Sequence, residues 1–157
     1  MNLGRPKFFS RRTIADTMPD MNWPQYCCAI LETERGEMLL ERRSDTARLA
    51  AGKLTCFGGA RESGEEPLAC LNRELREELG WEPGRLEFRV ALWVAGELIA
   101  WFYRAELDVP VDTLRPSAGH TPLLVAAADL DDSQISPWHR AVIEAYKTGR
   151  PRVDLPA

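Results

Sequence analysis

The 157-residue sequence has no long apolar run and no large excess of charge of either sign. No stretch approaches the roughly 18 consecutive apolar residues that a membrane-spanning helix needs, and no apolar signal segment opens the chain. A net charge of −4 argues against a nucleic-acid polymer or an anionic membrane as the main partner. No internal repeat or low-complexity segment is present. We therefore expect a cytoplasmic protein with one domain, large enough for a substantial core.

Cysteines are few, and none has the spacing of a metal-binding pair. The four cysteines lie in apolar stretches, without a Cys-x-x-Cys motif: Cys27, Cys28, Cys56 and Cys70. This usage is typical of buried, reduced thiols and argues against a zinc site.

The segment from Gly59 to Trp81 combines a glycine loop with a predicted helix. Proline suits the first helical position, so the helix is expected to begin at Pro67. Four leucines recur at intervals of three and four residues and predict an apolar stripe that faces the core: Leu68, Leu71, Leu75 and Leu79. Gly80 is suited to ending the helix in the left-handed conformation.

Three glutamates share another surface of this helix. Glu74, Glu77 and Glu78 stand at i, i+3 and i+4, where like charges repel unless a cation neutralises them. Oxygen ligands without cysteine or histidine suit Mg²⁺ or Mn²⁺ rather than zinc. Arg73 can hold one carboxylate through a bidentate pair. A solvated Glu/Arg helix without a metal is the alternative that this spacing leaves open.

The flanking segments predict an α/β domain from residue 23 to 157, preceded by an N-terminal extension, residues 1–22. Apolar and β-branched runs predict strands over 26–31, 38–42, 54–57, 86–94, 98–107 and 123–127. Ala95 and Gly96 are expected to form the turn of an antiparallel pair. Residues 108–122 are expected to form a surface loop, and a second helix is predicted from a Ser136 cap to Lys147.

The segment from Gly59 to Trp81 resembles the Nudix box. Every position of that motif is matched, by Gly59, Glu65, Arg73, Glu74, Leu75, Glu77, Glu78, Gly80 and Trp81. Trp81 stands where the family usually has an aliphatic residue, and Phe57 replaces a proline that often precedes the two glycines. The resemblance implies the α/β/α sandwich of Nudix domains, with a mixed β-sheet.

The resemblance also implies an activity and a set of site residues. Nudix enzymes hydrolyse a nucleoside diphosphate linked to another moiety, by attack of water on phosphorus. Mg²⁺ or Mn²⁺ is expected on Glu74, Glu77, Glu78 and the Gly59 carbonyl, and Glu65 with Arg73 is expected to brace the loop against the helix. A non-catalytic nucleotide-binding module is the alternative of another class, although such modules usually lack some of these glutamates.

The general base is left open by the sequence. Relatives often use an acidic residue from a late loop, but no Asp or Glu lies between Asp112 and Asp129. His120 lies in that loop, and an imidazole can accept a proton near neutral pH. If His120 is only an exposed loop residue, one of the box glutamates must act as the base.

Substrate recognition is predicted less specifically. Candidate phosphate contacts are Arg42, Arg43 and Arg48, and candidate stacking residues are Trp93, Trp101, Phe102, Tyr103 and Trp138. Solvated charge and core packing are the respective alternatives, and Trp101 is the stacking residue we select. Nucleoside triphosphates, including oxidised ones, are the leading substrate, with ADP-ribose, nucleotide sugars and coenzyme A as alternatives. A homodimer is a further possibility.

Overall fold

The computed structural model describes residues 22–131 and 133–157. These residues form a mixed eight-stranded sheet with one helix packed on each face. The strands are β1 (Tyr26–Glu32), β2 (Met38–Arg42), β3 (Leu54–Thr55), β4 (Phe57–Ala60), β5 (Glu87–Val94), β6 (Glu97–Glu106), β7 (Thr121–Val125) and β8 (Arg152–Leu155). The helices are α1 (Pro67–Leu79) and α2 (Pro137–Lys147). The predicted α/β/α sandwich is confirmed. The predicted N-terminal extension lies, apart from Asn22, outside the described residues.

Strand order in the sheet is β3-β2-β1-β6-β5-β8, with β4 also paired to β1 and β7 to β2. The β1–β6 and β5–β8 pairs are parallel, and the other named pairs are antiparallel. The predicted hairpin of β5 and β6 is present. Its turn residues Ala95 and Gly96 have φ of 51° and 80°, the positive values that a tight hairpin turn requires at both positions.

Strands β1 and β2 separate soon after their connecting turn. They pair only where Leu31 and Glu32 lie beside Leu39 and Met38. Beyond that point, β3 pairs with β2, and β4 pairs with β1. The chain therefore passes from the edge of β2 to the edge of β1 at Cys56, which lies between β3 and β4. We predicted one continuous strand over 54–57, which was wrong. The strand breaks because the Cys56 N–H donates to Nδ1 of His139, at 3.0 Å, instead of to a neighbouring strand.

Each face of the sheet carries its own apolar core. The core under α1 includes Cys70, Leu71, Leu75 and Leu79, and the core under α2 includes Val142, Ile143 and Ala145. The predicted burial of Leu68 was wrong, because that side chain is 37% exposed. In the first turn of α1, Pro67 and Cys70 are buried instead, and Cys70 Sγ lies 3.8 Å from the Gly59 carbonyl oxygen. That turn therefore faces β4. All four cysteines are free and buried, as expected.

The last part of the chain departs from the prediction in four places. β8 was not predicted, and it lies at a sheet edge with only Val153 buried among its four residues. The strand predicted over 123–127 spans Thr121–Val125, and a short 3-10 turn, Val111–Thr113, interrupts the preceding loop. Ser136 does precede α2, but its hydroxyl makes no capping hydrogen bond. No helix in the described part of the chain is long and apolar enough to cross a membrane.

Candidate active site

Arg73 connects the glycine loop to α1. Its Nε and Nη2 donate to Glu65 Oε1 and Oε2, at 2.7 and 3.0 Å, which is the bidentate geometry of a strong charged pair. Its Nη1 donates to Glu74 at 3.0 Å and to Glu77 at 3.3 Å. Glu65 also accepts the Glu62 N–H, at 2.9 Å. The Arg73 hydrogen bonds lower the pKa of Glu65 to about 2, so Glu65 is charged throughout the neutral range.

The three glutamates of α1 differ in their surroundings. The Glu77 side chain is 60% exposed, whereas that of Glu74 is 15% exposed and Glu78 is buried. Glu78 Oε2 accepts the Gly58 N–H at 3.2 Å, so the loop backbone fixes its direction. Burial, followed by the charges of Glu41 and Glu74, raises the pKa of Glu78 to about 9. A buried carboxylate with this environment is favourable only if a proton or a cation accompanies it.

Glu41 is a second buried carboxylate, and our sequence analysis did not identify it. Side chains alternate along β2, and Leu39 packs in the core under α1, so Glu41 also points toward α1. It is 2% exposed. Its Oε1 lies 2.5 Å from Nδ1 of His120, and Arg43 Nη1 lies 3.7 Å from its Oε2. Ligand atoms of Glu41, Glu78 and His120 all lie within 4.8 Å of one another.

His120 reaches this cluster because its loop is attached to the end of α1. The Arg115 N–H donates to the Leu79 carbonyl at 2.8 Å, and the Ser117 N–H donates to the Glu78 carbonyl at 3.0 Å. These bonds satisfy helix carbonyls that have no partner within the helix. His120 then immediately precedes β7, which pairs along β2. The structure therefore brings together two site residues predicted from distant segments, His120 and Glu78.

The two glycines of β4 allow the loop backbone to approach the carboxylates closely. A Cβ at Gly59 would lie 2.4 Å from the Glu74 carboxylate, so a side chain there would displace that carboxylate from its present position. Gly58 has φ of 144°, and a Cβ there would lie 2.2 Å from the Cys27 carbonyl oxygen. The Gly59 backbone and the Glu74 carboxylate are thus adjacent, as a shared metal site would require.

A cavity of about 420 Å³ opens beside the carboxylates, on the α2 face of the sheet. Glu41, Gly58 and Gly59 line one part of it. Its remaining lining is mainly apolar and includes Tyr26, Leu49, Leu92, Ile99, Phe102 and Trp138, together with the polar side chains of Thr55, Ser136 and His139. A concave apolar cavity with a few polar groups is typical of a small-molecule site.

The predicted substrate contacts are only partly brought to this cavity. Arg43 lines it, but Arg42 and Arg48 are exposed residues that do not. Trp101 lies on the other face of the sheet, packed against the core under α1, with its ring 5.8 Å from that of Phe88. Trp138, 42% exposed, lines the cavity instead. Both faces of β6 are covered, so its sequence does not alternate between apolar and polar residues. The sequence therefore could not show which aromatic residues of β6 face a ligand.

Two of the residues described above, Glu41 and His139, were not identified from the sequence. A carboxylate at a core-facing position of an otherwise apolar strand was a usable signal for Glu41, because unpaired buried charges are rare. No comparable signal was present for His139, whose ring accepts a hydrogen bond from a residue 83 positions earlier.

Comparison with known proteins agrees with this architecture. The sequence profile of the NUDIX domain matches residues 22–146. A search of curated protein sequences finds no significant match. Among solved structures, the MutT protein from Methanosarcina mazei Go1 superposes with a TM-score of 0.65 and 22% identity, over 83% of this chain and 97% of that chain. A Nudix hydrolase from Nitrosomonas europaea gives a TM-score of 0.65 and 18% identity, over 82% and 92%.

A third similar structure was solved with a ligand. The Nudix domain of Shewanella oneidensis NrtR, in complex with ADP-ribose, superposes with a TM-score of 0.63 and 18% identity, over 80% of this chain and 87% of that chain. At these identities the superpositions establish the fold, and the profile match over most of the sequence establishes the family. The chain belongs to the Nudix family, in the class of Nudix pyrophosphohydrolases that the box from Gly59 to Trp81 predicted.

Proposed function

We propose that this protein hydrolyses a phosphoanhydride bond of nucleoside triphosphates, including oxidised ones, with Mg²⁺ or Mn²⁺ as cofactor. The observation that carries the proposal is the pair of buried carboxylates, Glu41 and Glu78, of which Glu41 lines a cavity large enough for a nucleotide base. Two like charges held together away from water are stable only with a compensating cation or proton. A divalent cation would also assist the proposed hydrolysis, because it neutralises phosphate charge and activates a bound water.

The residues present fit a hard divalent cation. Glu74, Glu77, Glu78 and the Gly59 carbonyl would supply oxygen ligands, as the resemblance to the Nudix box implies. Among the described residues, the three side chains whose ligand atoms lie within 4.8 Å of one another are Glu41, Glu78 and His120, so Glu41 is a further candidate ligand. The cation supplies neutralisation of the pyrophosphate charge and a bound water of lowered pKa. Arg73 holds Glu74 in position, and the Gly58 N–H holds Glu78.

For the general base we propose His120, oriented by Glu41. Their contact holds the imidazole beside Glu41, which lines the cavity, and close to Glu78. A base of this kind contributes about 10² to 10⁴ in rate. We therefore expect His120→Gln to lower kcat by at least 100-fold while KM changes little. If kcat is unchanged, a box glutamate is the base.

The test of the proposed function is product release across a panel of substrates. Pyrophosphate and phosphate are measured with Mg²⁺ and then Mn²⁺ for nucleoside triphosphates, oxidised nucleotides, ADP-ribose, nucleotide sugars and coenzyme A. A clear preference for nucleoside triphosphates supports the proposal. A preference for ADP-ribose, the ligand of the NrtR domain, assigns the alternative substrate. Metal binding without hydrolysis of any substrate refutes the proposed reaction and favours a nucleotide-binding module.

Two matched variants test the metal site. Glu78→Gln should lower kcat by on the order of 100-fold or more while the fold is retained. Glu82→Gln is the control, since its side chain is 55% exposed beside Arg76, just beyond the same helix. It should retain full activity. Full turnover by Glu78→Gln would show that the metal assignment is wrong.

Three other features remain proposals of the same kind. We propose that residues 23–157 form the hydrolase domain and residues 1–22 an extension. The four buried free thiols support a reducing, cytoplasmic environment. A homodimer is a prediction that sedimentation of the full chain can test.

A further inference from the structure

His139 projects a single hydrogen-bond donor into an otherwise mainly apolar part of the cavity. The residue lies in the first turn of α2, and its Nδ1 accepts the Cys56 N–H at 3.0 Å. A nitrogen that accepts a hydrogen bond carries no proton, so in the neutral ring the proton is on Nε2. The bond from Cys56 therefore determines which tautomer is present.

The charge and the orientation of the ring are also determined by its surroundings. Burial, and secondarily the positive charge of Arg43, lowers the pKa of His139 to about 4, so the ring is neutral in the physiological range. The ring meets that of Phe102 edge to face, with 5.6 Å between centroids and 78° between planes. These contacts hold the ring in one orientation, because both the tautomer and the ring plane are fixed by neighbours.

Nε2 of His139 has no hydrogen-bond partner among the described residues. The ring's one hydrogen bond there is the bond that Nδ1 accepts from the Cys56 N–H. Every fully buried side-chain nitrogen or oxygen atom of the described residues has a hydrogen-bond partner. Because Nε2 has none, this atom must be accessible to solvent. The cavity that His139 lines is the accessible space. Thr55 and Ser136 line the same cavity, and the Ser136 hydroxyl does not cap α2. An N–H in an apolar cavity discriminates strongly between ligands with and without an acceptor.

We propose that His139 is a specificity-determining residue that donates its Nε2–H to a hydrogen-bond acceptor on the edge of a nucleotide base. This inference rests on the proposed function, because the same cavity reaches the Glu41 carboxylate and the Gly59 backbone, where the phosphates are expected. Trp138 lines the same part of the cavity and offers an aromatic surface for the base.

Two variants separate the donor from the structural role of the ring. In His139→Asn, the side-chain oxygen can replace Nδ1 as the acceptor for Cys56, but no donor remains at the position of Nε2. In His139→Gln, the longer side chain carries an amide N–H to about the position of Nε2. We therefore expect the asparagine variant to lose base recognition and the glutamine variant to regain part of it. A purely structural role predicts the opposite order, because asparagine preserves the bond to Cys56.

The experiment is a binding cycle in chelator, without divalent cations. Calorimetry measures the Kd of guanosine 5′-monophosphate and of two analogues: the 7-deazaguanine nucleotide, which lacks the N7 acceptor, and the 2-aminopurine nucleotide, which lacks the O6 acceptor and the N1 proton. In the wild-type protein, one analogue should bind about 10-fold more weakly than guanosine monophosphate. In His139→Asn, the Kd of guanosine monophosphate should rise by a similar factor, whereas the Kd of that analogue should rise no further.

Equal weakening of all three ligands by His139→Asn would refute the proposed contact, as would a wild-type protein that binds none of them. Because binding is measured without metal, it is independent of turnover. If the protein hydrolyses nucleotides but His139→Asn affects guanosine monophosphate and the analogues equally, only the role of His139 is refuted. A protein that shows the expected differences in Kd but hydrolyses no nucleotide refutes the proposed hydrolase and retains the base contact.

Discussion

Two bidentate arginine–carboxylate pairs with the same geometry allow the effect of burial to be isolated. Arg73 holds Glu65 with bonds of 2.7 and 3.0 Å, and Arg152 holds Asp154 with two bonds of 2.7 Å. The Glu65 side chain is 14% exposed, whereas that of Asp154 is 59% exposed. Exposed pairs contribute little to folding because water screens them and their side chains lose entropy. We predict that Glu65→Gln destabilises the protein and Asp154→Asn does not.

The expected size follows from the pKa of Glu65. Its ordinary value of 4.5 falls to about 2 in the folded protein, a difference that corresponds to about 3 kcal/mol of folding free energy at neutral pH. Partial exposure of Arg73 screens the pair, so we expect a loss of about 2 kcal/mol in Glu65→Gln. For a domain of this length that loss lowers Tm by about 4–8 °C. Asp154→Asn should leave Tm unchanged within error.

The assay is thermal and urea unfolding in chelator, at pH 7.5 and at several lower values. Because the folded pKa of Glu65 is depressed, its contribution is complete above pH 4.5 and is lost as the pH falls toward 2. The difference between wild type and Glu65→Gln should therefore shrink as the pH falls below 4.5. Equal destabilisation by the two substitutions, or a difference independent of pH, would show that burial does not strengthen the Arg73 pair.

Three further predictions concern other parts of the fold. His139 binds a proton below pH 6.5 when unfolded but only near pH 4 when folded, so stability should be lost as the pH falls from 6.5 to 4, by at most about 3 kcal/mol because the residue is only partly buried. Urea unfolding of His139→Asn should lack that loss. Gly58→Ala should greatly lower Tm, because its Cβ would overlap the β1 backbone, whereas Gly84→Ala, which meets nothing within 4 Å, should not. Leu71→Ala should cost about 2–5 kcal/mol by urea unfolding, and Leu68→Ala less than about 1, since only Leu71 is fully buried.

The sequence predicts α1 and the β5–β6 hairpin well because local rules determine both. Pro67 begins the helix as expected, and Gly80 ends it with φ of 61°. The resemblance to the Nudix box also implies the pairing of Arg73 with Glu65, which is present. These features require no knowledge of the distant chain.

The rest of the site depends on contacts between distant segments. Glu41 meets Glu78 only because β1 and β2 diverge, and that divergence is visible only when β3 and β4 are placed between them. His139 likewise interrupts a strand by accepting a backbone N–H, which no local pattern reports. The sequence could not show which face of β6 Trp101 occupies, because the strand is covered on both faces and neither face is marked by polar residues. Its role as a substrate contact stays a prediction, although it packs against the core under α1.

The crossing of the chain at Cys56 has a consequence for how this enzyme can change. Helix α1, which carries the box glutamates, packs on one face of the sheet, while His139 and Trp138 lie at the start of α2 on the other face. Substitutions in separate cores without shared partners usually have additive effects. If the proposed base contact on the α2 face is correct, its residues can change without disturbing the carboxylates. Among the described residues, Glu41, Arg43, Gly58 and Gly59 line the cavity and also belong to or contact the carboxylate group, so substitutions there affect both regions at once.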